Sequence, residues 1–242
     1  MVAVRNELVT LMRNPLTGIG FRRDFGTEFV RNFRTFARGS DPMRAANAFI
    51  VARFIATAES VDFLADNLSP ESQPDVAVRI AASAQLPKAV DAAPLSPPQL
   101  DAIAKRLATV ARQETDWVVV SHEVDAMTQM LREEGLPAAQ ADAIAASLAG
   151  TINDLTTRVL DGSRPSLVNS LQRALLAVRN QLSGVPGSAR SKLLATIAPA
   201  LESLAKAKAA PPAAVVSGGF GATFDAVANT AGLLQKLRAT GG

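Results

Sequence analysis

Apolar residues recur at intervals of three and four along most of the 242-residue chain. That spacing places them on one face of an α-helix, whereas a half-buried strand needs strict alternation. The first interruption is the turn sequence Asn14-Pro15-Leu16-Thr17-Gly18, which follows a helix predicted at residues 2–13. The pattern therefore predicts an all-α protein, an Ala/Leu-rich antiparallel helical bundle.

Two further helices are predicted in the N-terminal quarter. One covers residues 27–38 and ends at Gly39. The next begins at Asp41, whose side chain can cap a helix, with Pro42 in the first turn where no N–H is needed. We expect this helix to run to about residue 68 and to be buried on several sides, because it is apolar over much of its circumference.

Proline dominates residues 69–98, which hold six of the fourteen prolines in the chain. Proline removes a backbone donor and interrupts regular structure, so this segment is predicted to be an extended linker or arm. A short helix or strand at residues 76–85 is an open alternative. A capping sequence at Ser96 to Gln99 then predicts a helix that reaches residue 134. A strand competes at residues 117–120, but the continuous helical stripe favours a helix.

Three more helices are predicted to start near Pro137, Pro165 and Ser188, with a kink at Pro199 in the last. Short connections between them indicate antiparallel neighbours. The chain is thus divided into an N-terminal Phe/Arg-rich region, a Pro-rich linker, a helical bundle, a second linker and a C-terminal amphipathic helix. Their bounds are 1–68, 69–98, 99–208, 209–221 and 222–242.

Charge and aromatic residues set the N-terminal region apart. Residues 1–58 contain nine Arg, no Lys and four acidic residues, a net charge of +5, while the remainder carries −2. Eight of the ten Phe lie in the first 63 residues. This region therefore presents a different surface from the rest of the chain.

On a helix beginning near residue 21, the aromatic and basic side chains fall on opposite faces. At 100° per residue, five Phe span an arc of about 120° and four Arg lie across from them. We predict an interaction surface formed by Phe21, Phe25, Phe29, Phe33, Phe36, Arg23, Arg31, Arg34 and Arg38. Such a helix can bind a partner, lie on an anionic membrane or fold against nucleic acid. Alternatively, the Phe face covers the protein's own core.

The sequence offers little catalytic chemistry. It has no Cys, no Tyr and one His, which excludes disulfide scaffolds, zinc fingers, iron–sulfur clusters and cysteine nucleophiles. His122 could form a proton relay or half of a metal site with Asp125, but a solvated or capping histidine is the favoured interpretation. We expect no enzyme activity, no cofactor and no metal site.

These observations favour a non-enzymatic structural or assembly subunit of a larger complex, of virion, injection-apparatus or coat type, which associates through helical faces and extended arms. The positive mean hydropathy supports this expectation.

The partners would be other protein subunits in a homo- or hetero-oligomer. The alternative is a peripheral membrane protein anchored by the Phe/Arg helix. Nucleic acid is not expected, because the arginine cluster is modest and the rest of the chain is slightly acidic. The sequence shows neither a secretory signal nor a spanning segment, so a cytoplasmic location is expected, with incorporation into a large particle.

Overall fold

The computed structural model describes residues 2–37, 41–181 and 184–239, and this part of the chain contains helices and no strand. The α-helices are α1 (Val2–Arg13), α2 (Ile19–Ala37), α3 (Pro42–Ile55), α4 (Ala58–Ala65), α5 (Val76–Ala92), α6 (Pro97–Gln113), α7 (Trp117–Met130), α8 (Ala138–Leu160), α9 (Val168–Gln181), α10 (Gly187–Ala207), α11 (Ala213–Ser217) and α12 (Gly221–Ala239). A turn of 3-10 helix at Pro165–Leu167 precedes α9. The predicted all-α fold is confirmed.

One continuous group of buried apolar side chains runs from Met12 of α1 to Leu234 of α12. In the N-terminal half, α5 packs between α3 and α7; in the C-terminal half, α8 packs between α6 and α10. The helices therefore form a bundle in which the N-terminal region shares its core with the rest of the described chain.

The predicted third helix is wrong in length, because it is interrupted at Ala56. This residue adopts a left-handed conformation with φ of 54°, and Thr57 then caps α4. The Thr57 side chain accepts from the Ser60 backbone N–H, and the Ser60 hydroxyl accepts from the Thr57 backbone N–H, so the new helix start satisfies both donors. Gly26 of α2 lies against this junction: an added Cβ would come within 3.0 Å of the Ile55 side chain.

The second predicted helix is longer than expected. It begins at Ile19 rather than at residue 27, so all five phenylalanines of the predicted surface belong to one helix, α2. The helix end predicted at residues 38 and 39 lies outside the described residues. Asp41 caps α3 as predicted, with its carboxylate accepting from the backbone N–H groups of Met43 and Arg44.

The extended arm predicted at residues 69–98 is also wrong, because α5 occupies its middle. Only Pro87 lies inside this helix. The other five prolines precede α5 or follow it, where a missing N–H breaks no helical hydrogen bond. Buried Val78, Ala82 and Leu86 supply the packing that offsets the strain of the internal proline.

The single helix predicted from residue 96 to residue 134 is divided into α6 and α7 by residues 114–116. It starts as predicted, with the Ser96 backbone N–H donating to Gln99 at 2.8 Å. Asp116 caps α7, so residues 117–120 are helical and the strand alternative is wrong. The predicted linker at residues 209–221 likewise contains a short helix, α11, whose Val215 is buried.

Limited proteolysis tests the domain division. Because α5 packs against α3 and α7, we expect residues 76–92 to resist a broad-specificity protease in the native protein. The exposed residues 132–135 between α7 and α8 should be cut earlier. First cleavage within residues 76–92 would instead support an independent arm.

Candidate functional site

A groove opens between α1 and α2, which both pack on α3. It encloses about 160 Å³, and its walls and floor are almost entirely apolar. Its polar lining residues are Arg5, Arg44 and Asn47. We call this feature the N-terminal groove. Its apolar lining residues are Val4, Leu8, Phe29, Phe33, Ala48 and Val51.

The predicted Phe face is divided between the core and the surface. Phe21, Phe25, Phe29 and Phe33 form a stacked row, with neighbouring ring centroids 4.3–6.0 Å apart. Phe29 is only 4% exposed and belongs to the core, Phe25 and Phe33 are half-buried against it, and Phe21 is 49% exposed. The side chain of Phe36 lies outside the described residues. The Phe face therefore anchors α2 through its middle and leaves its N-terminal end open.

The described arginines of the predicted surface point away from the core. Arg23 is exposed, Arg31 pairs with Glu28 on the same helix, and Arg34 lies 3.5 Å from Asp66, just after α4. Arg38 lies outside the described residues. Arg34 therefore helps to hold α2 in place, while Arg23 and Arg31 face solvent.

The turn between α1 and α2 and the first residues of α2 present three exposed apolar side chains, among them Leu16, the most exposed large apolar residue of the described chain. Leu16 is 90% exposed, Ile19 68% and Phe21 49%. We call these three residues the apolar tip. Arg22 fixes the turn behind them: its guanidinium donates to the carbonyls of Met12, Thr17 and Phe54. From the sequence, Arg22 is recognisable only as a charged residue. Its hydrogen-bond acceptors are backbone carbonyls, which the pattern of side chains does not reveal.

Replacing Arg22 by methionine should lower the unfolding free energy by about 2 kcal/mol, because charge-assisted hydrogen bonds to three carbonyls are lost. Urea denaturation measures this cost, and hydrogen exchange should accelerate in residues 14–21. Arg23→Met is the matched control, since its side chain is exposed. Equal effects of the two substitutions would contradict the fixing role.

Exposed apolar residues are concentrated in this part of the molecule. Twelve large apolar side chains are exposed within the described residues, and seven of them lie between residues 2 and 43. These seven are Val2, Val4, Leu11, Leu16, Ile19, Phe21 and Met43. Apolar patches on a protein surface mark interaction sites, so this concentration makes residues 2–43 the candidate interaction region.

A buried polar cluster lies in the middle of the bundle, far along the chain from the N-terminal groove. Arg79 of α5 donates to both carboxylate oxygens of Glu114, at 2.6 and 3.1 Å. Glu114 also accepts from the backbone N–H groups of Thr115 and Asp116. Burial alone would raise the pKa of Glu114, but the hydrogen bonds from Arg79 and the backbone hold it below its usual value. Glu114 ends α6 and Asp116 caps α7, so the ion pair lies at the break between these helices.

Glu123 of α7 is wholly buried, and neither of its carboxylate oxygens has a hydrogen-bond partner among the described residues. Burial raises its pKa well above the usual value, and the Glu114 carboxylate adds to the shift. Burial therefore favours the neutral, protonated form of Glu123.

We expect Glu123→Leu to raise the unfolding free energy at neutral pH by about 1–3 kcal/mol, because it removes an unsatisfied buried polar group. The pKa of Glu123 is higher in the folded chain than in the unfolded chain. The stability that the folded chain gains when Glu123 is protonated is thus fully present below the unfolded pKa and is lost as pH rises through the folded pKa. In the wild type, urea denaturation from pH 5 to pH 9 should show a fall in the unfolding free energy. This fall should be absent in Glu123→Gln. Parallel pH profiles for these two proteins would contradict the assignment.

The structure does not join His122 and Asp125 in a relay. The His122 Nδ1 atom lies 3.0 Å from the Ser83 hydroxyl of α5, and Asp125 pairs with Arg173 of α9 at 2.8 Å. Burial and the nearby Arg173 lower the pKa of His122.

Over the described residues, no group of three His, Asp or Glu side chains is placed to hold a metal ion. In this same part of the chain, no helix is both long enough and apolar enough to cross a membrane.

No family model, curated protein or solved structure matches the chain. What the protein does must therefore be inferred from its N-terminal groove, its apolar tip and its buried polar cluster. The first two are accessible from solvent, whereas the charged groups of the third are enclosed by helices.

Proposed function

We propose that this protein is a non-enzymatic subunit of a larger protein assembly and that another protein binds to its apolar tip and N-terminal groove. One observation carries the proposal: seven of the twelve exposed large apolar side chains of the described residues lie between residues 2 and 43. Leaving such a surface in water is unfavourable, and covering it with a partner recovers that free energy. A virion, injection-apparatus or coat component fits this description.

In the fold, only part of the predicted interaction surface is accessible to a partner protein. Phe29 already contributes to the protein's own core, so association would use Leu16, Ile19 and Phe21 at the tip and the open side of the groove. Residues 69–98 contribute no extended arm, because α5 packs into the bundle. Association is therefore proposed through the N-terminal helices.

A triple substitution at the apolar tip, Leu16→Ser with Ile19→Ser and Phe21→Ser, tests the proposal. The matched control is Val76→Ser with Val216→Ser and Leu233→Ser, which removes three exposed apolar side chains elsewhere. Both variants should keep the helical circular dichroism of the parent chain. We expect cross-linking in the cells that produce the protein, followed by light scattering after size exclusion, to show a defined larger species that only the tip variant loses.

A wild-type chain that stays at the 25.3 kDa of a monomer and gives no cross-linked species would contradict the proposal. Equal loss of the larger species in both variants would also contradict it, because general surface hydrophobicity would then be responsible. The two variants remove the same number of apolar side chains, so a difference between them reports on position alone.

Attachment to an anionic membrane surface is the second candidate, and the placement of the tip favours it. Exposed Arg13 and Arg23 flank Leu16, Ile19 and Phe21, and basic residues beside inserted apolar side chains are typical of peripheral membrane proteins. Flotation with phosphatidylserine vesicles, compared with phosphatidylcholine vesicles, distinguishes the two candidates. Salt-sensitive flotation with the anionic vesicles alone, abolished in the tip variant, would favour the membrane.

A further inference from the structure

The walls of the N-terminal groove have the spacing of a helix-binding site. Val4 and Leu8 lie one turn apart on α1, and Phe29 and Phe33 lie one turn apart on α2. Side chains four residues apart form ridges, and the ridges of another helix pack into the grooves between them when its apolar residues recur at the same interval. The shape of the groove therefore matches the apolar face of an amphipathic helix.

The floor of the groove allows close approach. Ala48 and Val51 of α3 form it, and Ala48 carries a side chain of a single methyl group. Both residues are buried beneath the walls, so the floor is set by the core and stays in place when the groove is filled. An incoming helix would thus meet a preformed surface at little ordering cost.

The charge around the groove selects the kind of helix that fits. Arg5 and Arg44 lie among its lining residues, and no Asp or Glu is among the described residues that line it. Arg5 donates to the neutral side chains of Asn6 and Asn47, so its charge has no acidic counterpart in these contacts. Arg44 pairs with Asp41 only at an exposed position, where the free energy of the pair is small.

A second copy of this chain is a poor occupant. Residues 1–58 carry a net charge of +5, so two N-terminal regions placed face to face would repel each other. An acidic segment gains from the same field. Electrostatic complementarity of this kind raises the rate of encounter and excludes partners of the wrong charge.

From the shape and the charge together, we infer that the N-terminal groove binds an amphipathic helix of a partner protein whose apolar face is flanked by Asp and Glu. This inference rests on the proposed function and names the partner's chemistry. Arg5 and Arg44 would contact the acidic flanks, and Val4, Leu8 and the half-buried Phe33 would contact the apolar face.

Binding of two synthetic helical peptides to the full chain, followed by fluorescence anisotropy, tests the inference. Both are 18-residue amphipathic peptides with leucine at helical spacing; one carries glutamate at every flanking position and the other lysine. We expect the glutamate peptide to bind at least tenfold more tightly than the lysine peptide at low salt. Arg5→Glu with Arg44→Glu should reverse that preference.

Val4→Gln should weaken binding of the glutamate peptide at least fivefold, because Val4 is an exposed part of the groove wall. Leu233→Gln on α12 is the matched control and should leave binding unchanged. Equal binding of the two peptides would overturn the acidic partner while leaving a protein-binding groove. Failure of both peptides to bind would overturn the groove as a helix site, and the separate substitutions at the apolar tip would still decide the proposed function.

Discussion

Replacing Arg79 by methionine is expected to lower the unfolding free energy by about 3–5 kcal/mol, the cost of leaving one member of a buried ion pair without its partner. Glu114 would stay fully buried with only the backbone N–H groups of Thr115 and Asp116 to stabilise its charge. The carbonyls of Gln73 and Pro74, which accept from Arg79, would lose their donor as well. The effect should be visible in urea denaturation at pH 7.

Arg106→Met is the matched control, because Arg106 pairs with Asp66 where both side chains are about one third exposed. Such a pair contributes about 1 kcal/mol or less, so the two substitutions should differ clearly. Similar small costs for both would mean that the Arg79–Glu114 pair contributes no more than a surface contact.

The same variant should change the response to acid. Because the folded-state pKa of Glu114 is lowered, the stability it contributes is present above the unfolded pKa and is lost as pH falls through the folded pKa. The difference between the wild type and Arg79→Met is therefore expected to shrink on acidification, which urea denaturation from pH 7 to pH 3 would measure. A difference that grows toward low pH would contradict this assignment.

Local signals were sufficient for much of the fold. The helical spacing gave α1 its bounds, Asp41 identified the start of α3, and Ser96 with Gln99 identified the start of α6. Each of these features depends on residues within a few positions of one another, so the sequence displays it directly.

The errors have a common physical origin in contacts between distant residues. Glu114 fits the helical stripe as a polar member, and its pairing with Arg79, 35 residues earlier, stabilises the break at which Asp116 caps α7. The prolines of residues 69–98 predicted an arm by their number, whereas five of the six lie outside α5 and remove none of its hydrogen bonds. A helical wheel likewise places Phe21 and Phe29 on one face, but it cannot show that α3 and α4 cover one and leave the other in water.

Phe29 belongs to the buried part of the Phe face, so its truncation should have the second large effect on stability. Phe29→Ala is expected to cost about 3–5 kcal/mol of unfolding free energy, because it opens a cavity in the core. The ring is 4% exposed, stacks on Phe33 at 4.3 Å and meets Phe63 edge-on at 6.3 Å. Phe21→Ala, the matched truncation two turns earlier on the same helix, should change stability by about 0.5 kcal/mol or less.

The substitutions Phe21→Ala and Phe29→Ala should have opposite effects on association and on stability. Phe21→Ala removes an exposed ring of the apolar tip, so we expect it to reduce assembly or vesicle flotation while thermal unfolding, followed by circular dichroism, stays unchanged. Phe29→Ala should lower the melting temperature before any loss of binding becomes measurable. If Phe29→Ala instead melted like the wild type and abolished association, the whole Phe face would be a binding surface and the packing of α2 on the core would be wrong.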